Sequence, residues 1–186
     1  VAKFIQIGSS SEYGVISEPR KEDMRCVPTD WYSATKIAAT NLCLGYASQG
    51  LDVAVARPFS LYGPNDTPRK LIPRLIESRK KSIAPTVGPG RHDYVYIGDF
   101  VEGLLSLMLA SKEKTQGDIV NFGTGISTSN LDVARLIPDA QFIYQPEEHY
   151  HYRGDWVADT TKAKTKYGWE AKTSLEEGLS RIYHAT

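Results

Sequence analysis

Tyr32 and Lys36 stand four residues apart in the stretch Trp31-Tyr32-Ser33-Ala34-Thr35-Lys36. On a helix that spacing puts both side chains on one face, about one turn apart, so an ammonium lies beside a phenol. A free tyrosine titrates near pH ~10 and exchanges protons poorly at neutral pH. A neighbouring positive charge favours the phenolate and brings the group toward the range of efficient general acid–base catalysis. The same spacing also describes an ordinary surface pair on a helix. The pair therefore takes its meaning from its surroundings.

The elements that must position it alternate between strand and helix, which predicts an α/β fold with a largely parallel sheet. Residues 3–7 read as a buried strand that runs into the hydroxyl-rich turn Gly8-Ser9-Ser10-Ser11-Glu12-Tyr13-Gly14. After a loop with Pro19 and Pro28, Thr29 or Asp30 can cap a helix over residues 31–48, which Gly50 ends. A second strand is expected over residues 52–56. Pro73 suits the first turn of a helix running to residue 81, and residues 87–97 hold a glycine-proline turn and a short strand. Asp99 is expected to cap an apolar helix over residues 100–110, ahead of a third core strand at residues 119–122. A short helix (131–137), a small strand (141–144) and two amphipathic helices (161–167 and 175–183) complete the chain, with a capping box at Ser174-Leu175-Glu176-Glu177.

Composition narrows the function classes. Lys plus Arg and Asp plus Glu number 22 each among 186 residues, so no net charge draws the chain to nucleic acid or an anionic membrane. The run Arg79-Lys80-Lys81 reads as a solvated helix terminus. Cys26 and Cys43 have neither disulfide-framework nor metal-type spacing, which predicts free thiols in a reducing compartment. With no long apolar run and no signal-peptide pattern, a cytoplasmic protein is expected. Glu147, Glu148, His149 and His151 could ligate a metal, but Tyr144, Tyr150, Tyr152 and Trp156 around them read as a packed loop, and no metal is expected.

The tyrosine helix is not alone. The serine-rich turn lies upstream of it, and Arg57-Pro58-Phe59-Ser60-Leu61-Tyr62-Gly63-Pro64 lies downstream. Arg91-His92-Asp93-Tyr94-Val95-Tyr96-Ile97-Gly98-Asp99, Asn121-Phe122-Gly123-Thr124-Gly125 and Asp159-Thr160-Thr161-Lys162-Ala163-Lys164 then follow, with Tyr167-Gly168-Trp169 last. In this order the chain resembles the extended short-chain dehydrogenase/reductase family, the NAD-dependent epimerases and dehydratases of nucleotide sugars. The resemblance implies a partial Rossmann-type parallel sheet plus a small α+β substrate-binding domain. Residues 1–66 would form the C-terminal part of the Rossmann domain, 67–97 a substrate-domain segment, 98–125 a return to the Rossmann core, and 126–186 the substrate-binding domain.

The same resemblance implies roles. Tyr32 would be the general acid/base on a sugar oxygen, and Lys36 would hold the nicotinamide ribose of NAD or NADP and depress the tyrosine pKa, with Pro58 also at the cofactor. A serine hydroxyl would bond the same sugar oxygen. Aligned by the strand it is Ser10, the preferred reading; counted back from Tyr13-Gly14 it is Ser9. Glu12 falls where dehydratases carry an acidic residue, in the gapped alignment only, and no Asp-Glu pair is present, which favours epimerisation or keto reduction. Ser60, Arg91 and Arg153 would hold the nucleotide diphosphate, since forked arginine contacts suit such a group. Leu71, Ile72 and Pro73 would lie near the base, and Arg57 is expected to be structural. No Gly-rich dinucleotide turn follows a strand, so the resemblance places a first half of roughly 100 residues upstream. Two readings follow: the C-terminal part of a homodimeric nucleotide-sugar oxidoreductase, catalytic when complete, or a non-catalytic module that self-associates through an exposed sheet edge at residues 3–7.

Overall fold

The structure, a computed structural model, describes residues 3–81, 83–147 and 154–185. In chain order the elements are β1 (Phe4–Ile7), a single 3-10 turn (Ser10–Tyr13), α1 (Trp31–Ser48), β2 (Val53–Pro58), β3 (Ser60–Tyr62) and α2 (Leu71–Ser78). Next come β4 (Thr86–Val87), β5 (Arg91–His92), β6 (Tyr94–Tyr96), α3 (Ile97–Leu109), α4 (Lys112–Thr115) and β7 (Ile119–Phe122). The last are β8 (Thr128–Ser129), α5 (Asn130–Leu136), β9 (Ile143–Tyr144), β10 (Asp155–Trp156), α6 (Thr161–Tyr167) and α7 (Leu175–Ala185).

The main sheet has the order β1-β2-β7, and both pairings are parallel. Val53 to Arg57 of β2 are all buried, as a central parallel strand covered on both faces requires. Strand alternation divides the two coverings. Val53 and Val55 face Cys43 and Ala47 of α1, whereas Ala56, Val120 and Phe122 face Phe100 and Leu107 of α3, Ala163 of α6 and Trp169. The result is a three-layer α/β/α core in which β2 is flanked by β1 and β7.

A second cluster gathers α2, α5 and α7 around the small strands, with Tyr62, Leu75, Val87, Val133 and Leu179 at its centre. The chain crosses between the two clusters directly after β2, at β3, and again where β6 runs into α3.

Two local expectations need correction. Asp99 does not cap α3, which begins at Ile97; it lies in the first turn, buried, and accepts from Lys172 N (3.0 Å), Thr173 N (2.8 Å) and Thr173 Oγ1 (2.9 Å). Its charge ties α3 to the segment ahead of α7 instead of ending its own helix. The capping box of α7 is half formed: Ser174 Oγ accepts from Glu177 N at 3.1 Å, but the Glu177 carboxylate pairs with Arg181. The serine-rich turn closes as a 3-10 helix.

At Gly103 of α3 two rings press on the helix. A Cβ there would come within 2.4 Å of Phe122 Cε1 and 3.2 Å of Trp169 Cε2. Gly103→Ala is therefore expected to lower stability by about 1–3 kcal/mol in urea unfolding, because the rings must give way. An unchanged midpoint would show that they do not set the helix position.

Candidate functional site

Two short sequence devices fix the residues singled out above. Ser9, in extended backbone (φ −161°), is the N-cap of the 3-10 turn. Its Oγ accepts from Ser11 N (3.2 Å) and Ser11 Oγ (2.8 Å), and its own N–H donates to Glu12 Oε1 (2.8 Å). At the start of α1, Asp30 is the cap that forms: its carboxylate accepts from Ser33 N at 2.7 Å, and Ser33 Oγ accepts from Asp30 N at 3.0 Å. Ser33 is fully buried, and this reciprocal cap sets the rotation at which Tyr32 and Lys36 leave the helix.

Lys36 Nζ donates to the carbonyl of Ile7, the last residue of β1, at 2.9 Å and lies 5.7 Å from the centre of the Tyr32 ring. One lysine thus joins the tyrosine helix to the carboxyl end of β1. Crevices at the carboxyl ends of parallel strands are where open α/β sheets bind ligands.

A cavity of about 890 Å³ opens there, between the sheet and the second cluster. Tyr32, Lys36, Ser9, Ser10, Ser11, Pro58 and Ser60 all line it, so seven residues singled out by type or resemblance, Ser11 among them as part of the turn, meet in one place. Leu71 and Ile72 line it as well.

Glu12 and Arg91 stand elsewhere. Glu12, expected at the substrate, does not line the cavity: it is fully buried in an ion pair with Arg57 (2.8 Å) and also accepts from Thr40 Oγ1 (2.9 Å). Arg57, expected to be structural, is buried in that pair and does not line the cavity. Arg91 faces away from the cavity: its Nε and Nη2 donate to Ser127 Oγ (2.9 Å) and Ser127 O (2.8 Å), and its guanidinium pairs with Asp155 (3.2 Å). Strand alternation explains this, because neighbours in β5 point to opposite sides and His92 takes the cavity side. Arg153, with Glu148, His149 and His151, lies outside the described residues.

Sequence reasoning missed the charges on the opposite wall. Arg69, Lys70 and Arg74, at and just before the start of α2, line the cavity together with Asp66, Asn130 and Trp156. Lys70 pairs with Asp66 (3.0 Å) and donates to Leu61 O (3.1 Å), and Arg74 donates to Thr86 O (3.4 Å). Arg69 makes no hydrogen bond or ion pair among the described residues. A signal for these residues was present: cations at a helix N-terminus oppose the helix dipole, so their presence calls for another partner.

Two cavity-lining groups have shifted titrations: burial pushes the Tyr62 phenol up, and it pushes the His92 imidazole down. Burial, followed by the nearby Arg20 charge, holds the His92 pKa down to about 4. Arg20, itself fully buried and stacked 4.1 Å from the centre of the Trp156 ring, is lowered to about 10 by the same loss of water.

The family described as "NAD dependent epimerase/dehydratase family" matches residues 1–123. Among curated proteins the chain is 29% identical to the low-salt glycan biosynthesis protein Agl12 of Haloferax volcanii, covering 96% of this chain and 60% of that protein. It is 32% identical to the UDP-glucuronate 4-epimerase of Thermodesulfobacterium geofontis, covering 97% and 58% respectively. Among solved structures, the UDP-glucuronic acid 4-epimerase from Bacillus cereus, in complex with UDP-glucuronic acid and NAD, superimposes with a TM-score of 0.87 at 27% identity, over 98% of this chain and 60% of that one. The chain thus spans about three fifths of the length of these relatives.

The depressed pKa of His92 means that the fold favours the neutral imidazole. Its contribution to stability is present above the ordinary value of 6.5 and is lost as the pH falls through about 4. His92→Gln should therefore lose less stability than the wild type between those two values, by on the order of 1–3 kcal/mol in urea unfolding at a series of pH values. Equal slopes would mean that the ring titrates in the fold as it does unfolded.

Proposed function

This chain belongs to the NAD dependent epimerase/dehydratase family, and from that premise we propose that its cavity takes a nucleotide-diphosphate sugar, with Tyr32 as general acid/base on a sugar oxygen. One observation carries this reading: a tyrosine, a lysine and the serine turn share a single cavity with three cations on its opposite wall. The UDP-glucuronic acid in the complex of the Bacillus cereus relative is a molecule of that chemistry.

Each residue has a chemical task in the proposal. Tyr32 passes its phenolic proton to, or takes one from, the sugar oxygen. Ser9 Oγ already accepts two hydrogen bonds, so its own proton remains for the same oxygen; Ser10 Oγ, which has no partner among the described residues, is the second candidate. Lys36 spends one of its three N–H donors on Ile7 O, and the others fit a ribose hydroxyl. NAD or NADP, bound against Lys36 and Pro58, would supply or take up hydride at the sugar carbon. Arg69, Lys70 and Arg74 suit the diphosphate, with Ser60 beside them, because phosphate oxygens answer ammonium and guanidinium donors.

The burial of Glu12 bears on the reaction. Elimination of water calls for a carboxylate near the sugar, and the carboxylate in the cavity lining is Asp66, which is paired with Lys70. Epimerisation or keto reduction, which need only proton and hydride exchange at one carbon, is the reading favoured here. In the full-length protein, Tyr32→Phe should lower kcat by at least about 10²-fold on UDP-glucuronic acid or UDP-glucose while NAD affinity changes little. Retained turnover would remove Tyr32 from the proposed role.

A homodimer is part of the same proposal. The outer side of α1 exposes Trp31 (90%), Leu42 (67%) and Tyr46 (55%), next to the open surface at Gly45. A second α1 is the self-complementary partner for such a stripe, since a two-fold interface puts the same surface on both sides. Trp31→Glu combined with Leu42→Glu should convert the dimer to monomer in sedimentation. A wild-type monomer at micromolar concentration would overturn the assignment.

A further inference from the structure

Glu12 bonds at once to three separate pieces of the site. Its Oε1 accepts from Ser9 N, in the serine turn (2.8 Å). Its Oε2 accepts from Thr40 Oγ1 of α1 (2.9 Å) and from Arg57 Nε (3.0 Å) and Nη2 (2.8 Å) at the end of β2. Thr40 follows Tyr32 and Lys36 at steps of four, so the carboxylate holds the helix near the face that carries the proposed catalytic pair. Arg57 immediately precedes Pro58, which lines the cavity.

We propose that Glu12 is a positioning residue: it sets the separation between the serine hydroxyls and Tyr32 and acts on the reaction only through them. This rests on the function proposed above. Stability alone does not account for the arrangement. A buried ion pair is costly to desolvate, and a well-packed apolar pair of similar volume commonly serves a fold as well or better. Among the described residues Arg57 Nη1 is buried without a hydrogen-bond partner, which adds to the cost of keeping the pair. Room has also been left for the carboxylate: a Cβ at Gly8 would come within 2.5 Å of Glu12 Oε1 and 3.0 Å of Arg57 Cγ. What the pair supplies and an apolar pair cannot is direction, with one oxygen toward the turn and the other toward helix and strand.

The test uses the full-length protein with UDP-glucuronic acid and UDP-glucose as substrates. It compares the wild type with Glu12→Leu/Arg57→Met, Thr40→Val, Thr40→Ser and Tyr32→Phe, recording melting temperature, kcat and KM. The double variant removes both charges together and should melt close to the wild type. Its kcat should fall by about tenfold or more while KM moves by less than about threefold, because a displacement of ~1 Å in a reacting group costs rate rather than binding. Thr40→Val should lose kcat in the same sense and Thr40→Ser should restore it, a pair that decides the matter if the double variant does not fold. A double variant with wild-type kcat, or equal rates for Thr40→Val and Thr40→Ser, overturns the inference. If Tyr32→Phe is inactive and the double variant is not impaired, only the role of Glu12 falls. If the wild type turns over neither sugar, the functional reading falls first and takes this inference with it.

Discussion

A carboxylate taken out of water must find donors, or its burial costs several kcal/mol (~) and the fold yields. Glu12, Asp93 and Asp99 are all buried, and each lies where separate segments have to meet. Glu12 joins the serine turn, α1 and β2. Asp93, between β5 and β6, accepts from Thr124 N (2.7 Å), Thr124 Oγ1 (2.6 Å), Gly125 N (2.9 Å) and Ala158 N (3.2 Å). Asp99 joins α3 to the residues ahead of α7. Most of these donors are loop N–H groups that no strand or helix would satisfy. The carboxylates therefore take over the hydrogen bonding of the joints, and burial pushes the Asp93 carboxyl up while those same donors pull it back.

Around these joints two hydrophobic clusters can share one chain. The sheet, covered by α1 on one face and α3 and α6 on the other, presents the carboxyl ends of β1 and β2 as a fixed edge. The cluster of α2, α5 and α7 stands opposite. The cavity is the seam between them, which is why its lining draws on residues from Ile7 to Trp156 that no local stretch of sequence would gather. Gly123 shows how closely the seam is drawn: a Cβ there would meet Ala158 Cβ at 2.4 Å and Asp93 Oδ2 at 2.5 Å.

What was legible in the sequence is what local rules decide. The spacing of Tyr32 and Lys36 on α1, a cap at Thr29 or Asp30 and the apolar β2 follow from periodicity and capping, and the bounds of α1 agree to the residue. The serine register was not legible, because Ser9, Ser10 and Ser11 are chemically alike and the 3-10 turn that distinguishes them depends on Glu12. The fate of Glu12 was hidden for a stronger reason: its partner Arg57 lies 45 positions away, and nothing local announces a charge that will be buried. Arg91 could have been read correctly, since alternation in a two-residue strand already sends Arg91 and His92 to opposite sides. The Arg69, Lys70 and Arg74 wall needed the second cluster to fold against the sheet before those residues had anything to face.

The cavity's charge is therefore distributed by element. The wall made by the sheet ends and α1 offers hydroxyls, a phenol and a single ammonium, whereas the wall made by the approach to α2 offers two guanidiniums and an ammonium against one carboxylate. His92, held neutral at physiological pH by its burial, adds no charge between them. A ligand that satisfies both walls carries anionic oxygens on one side and uncharged hydroxyls on the other. A simple sugar leaves Arg69 and the spare donors of Lys70 and Arg74 without an anion, and a nucleotide without a sugar leaves the serine turn facing nothing to bond. A sugar joined to a diphosphate answers both, so the substrate class proposed above draws its support from the two sets of groups together rather than from any one residue in them.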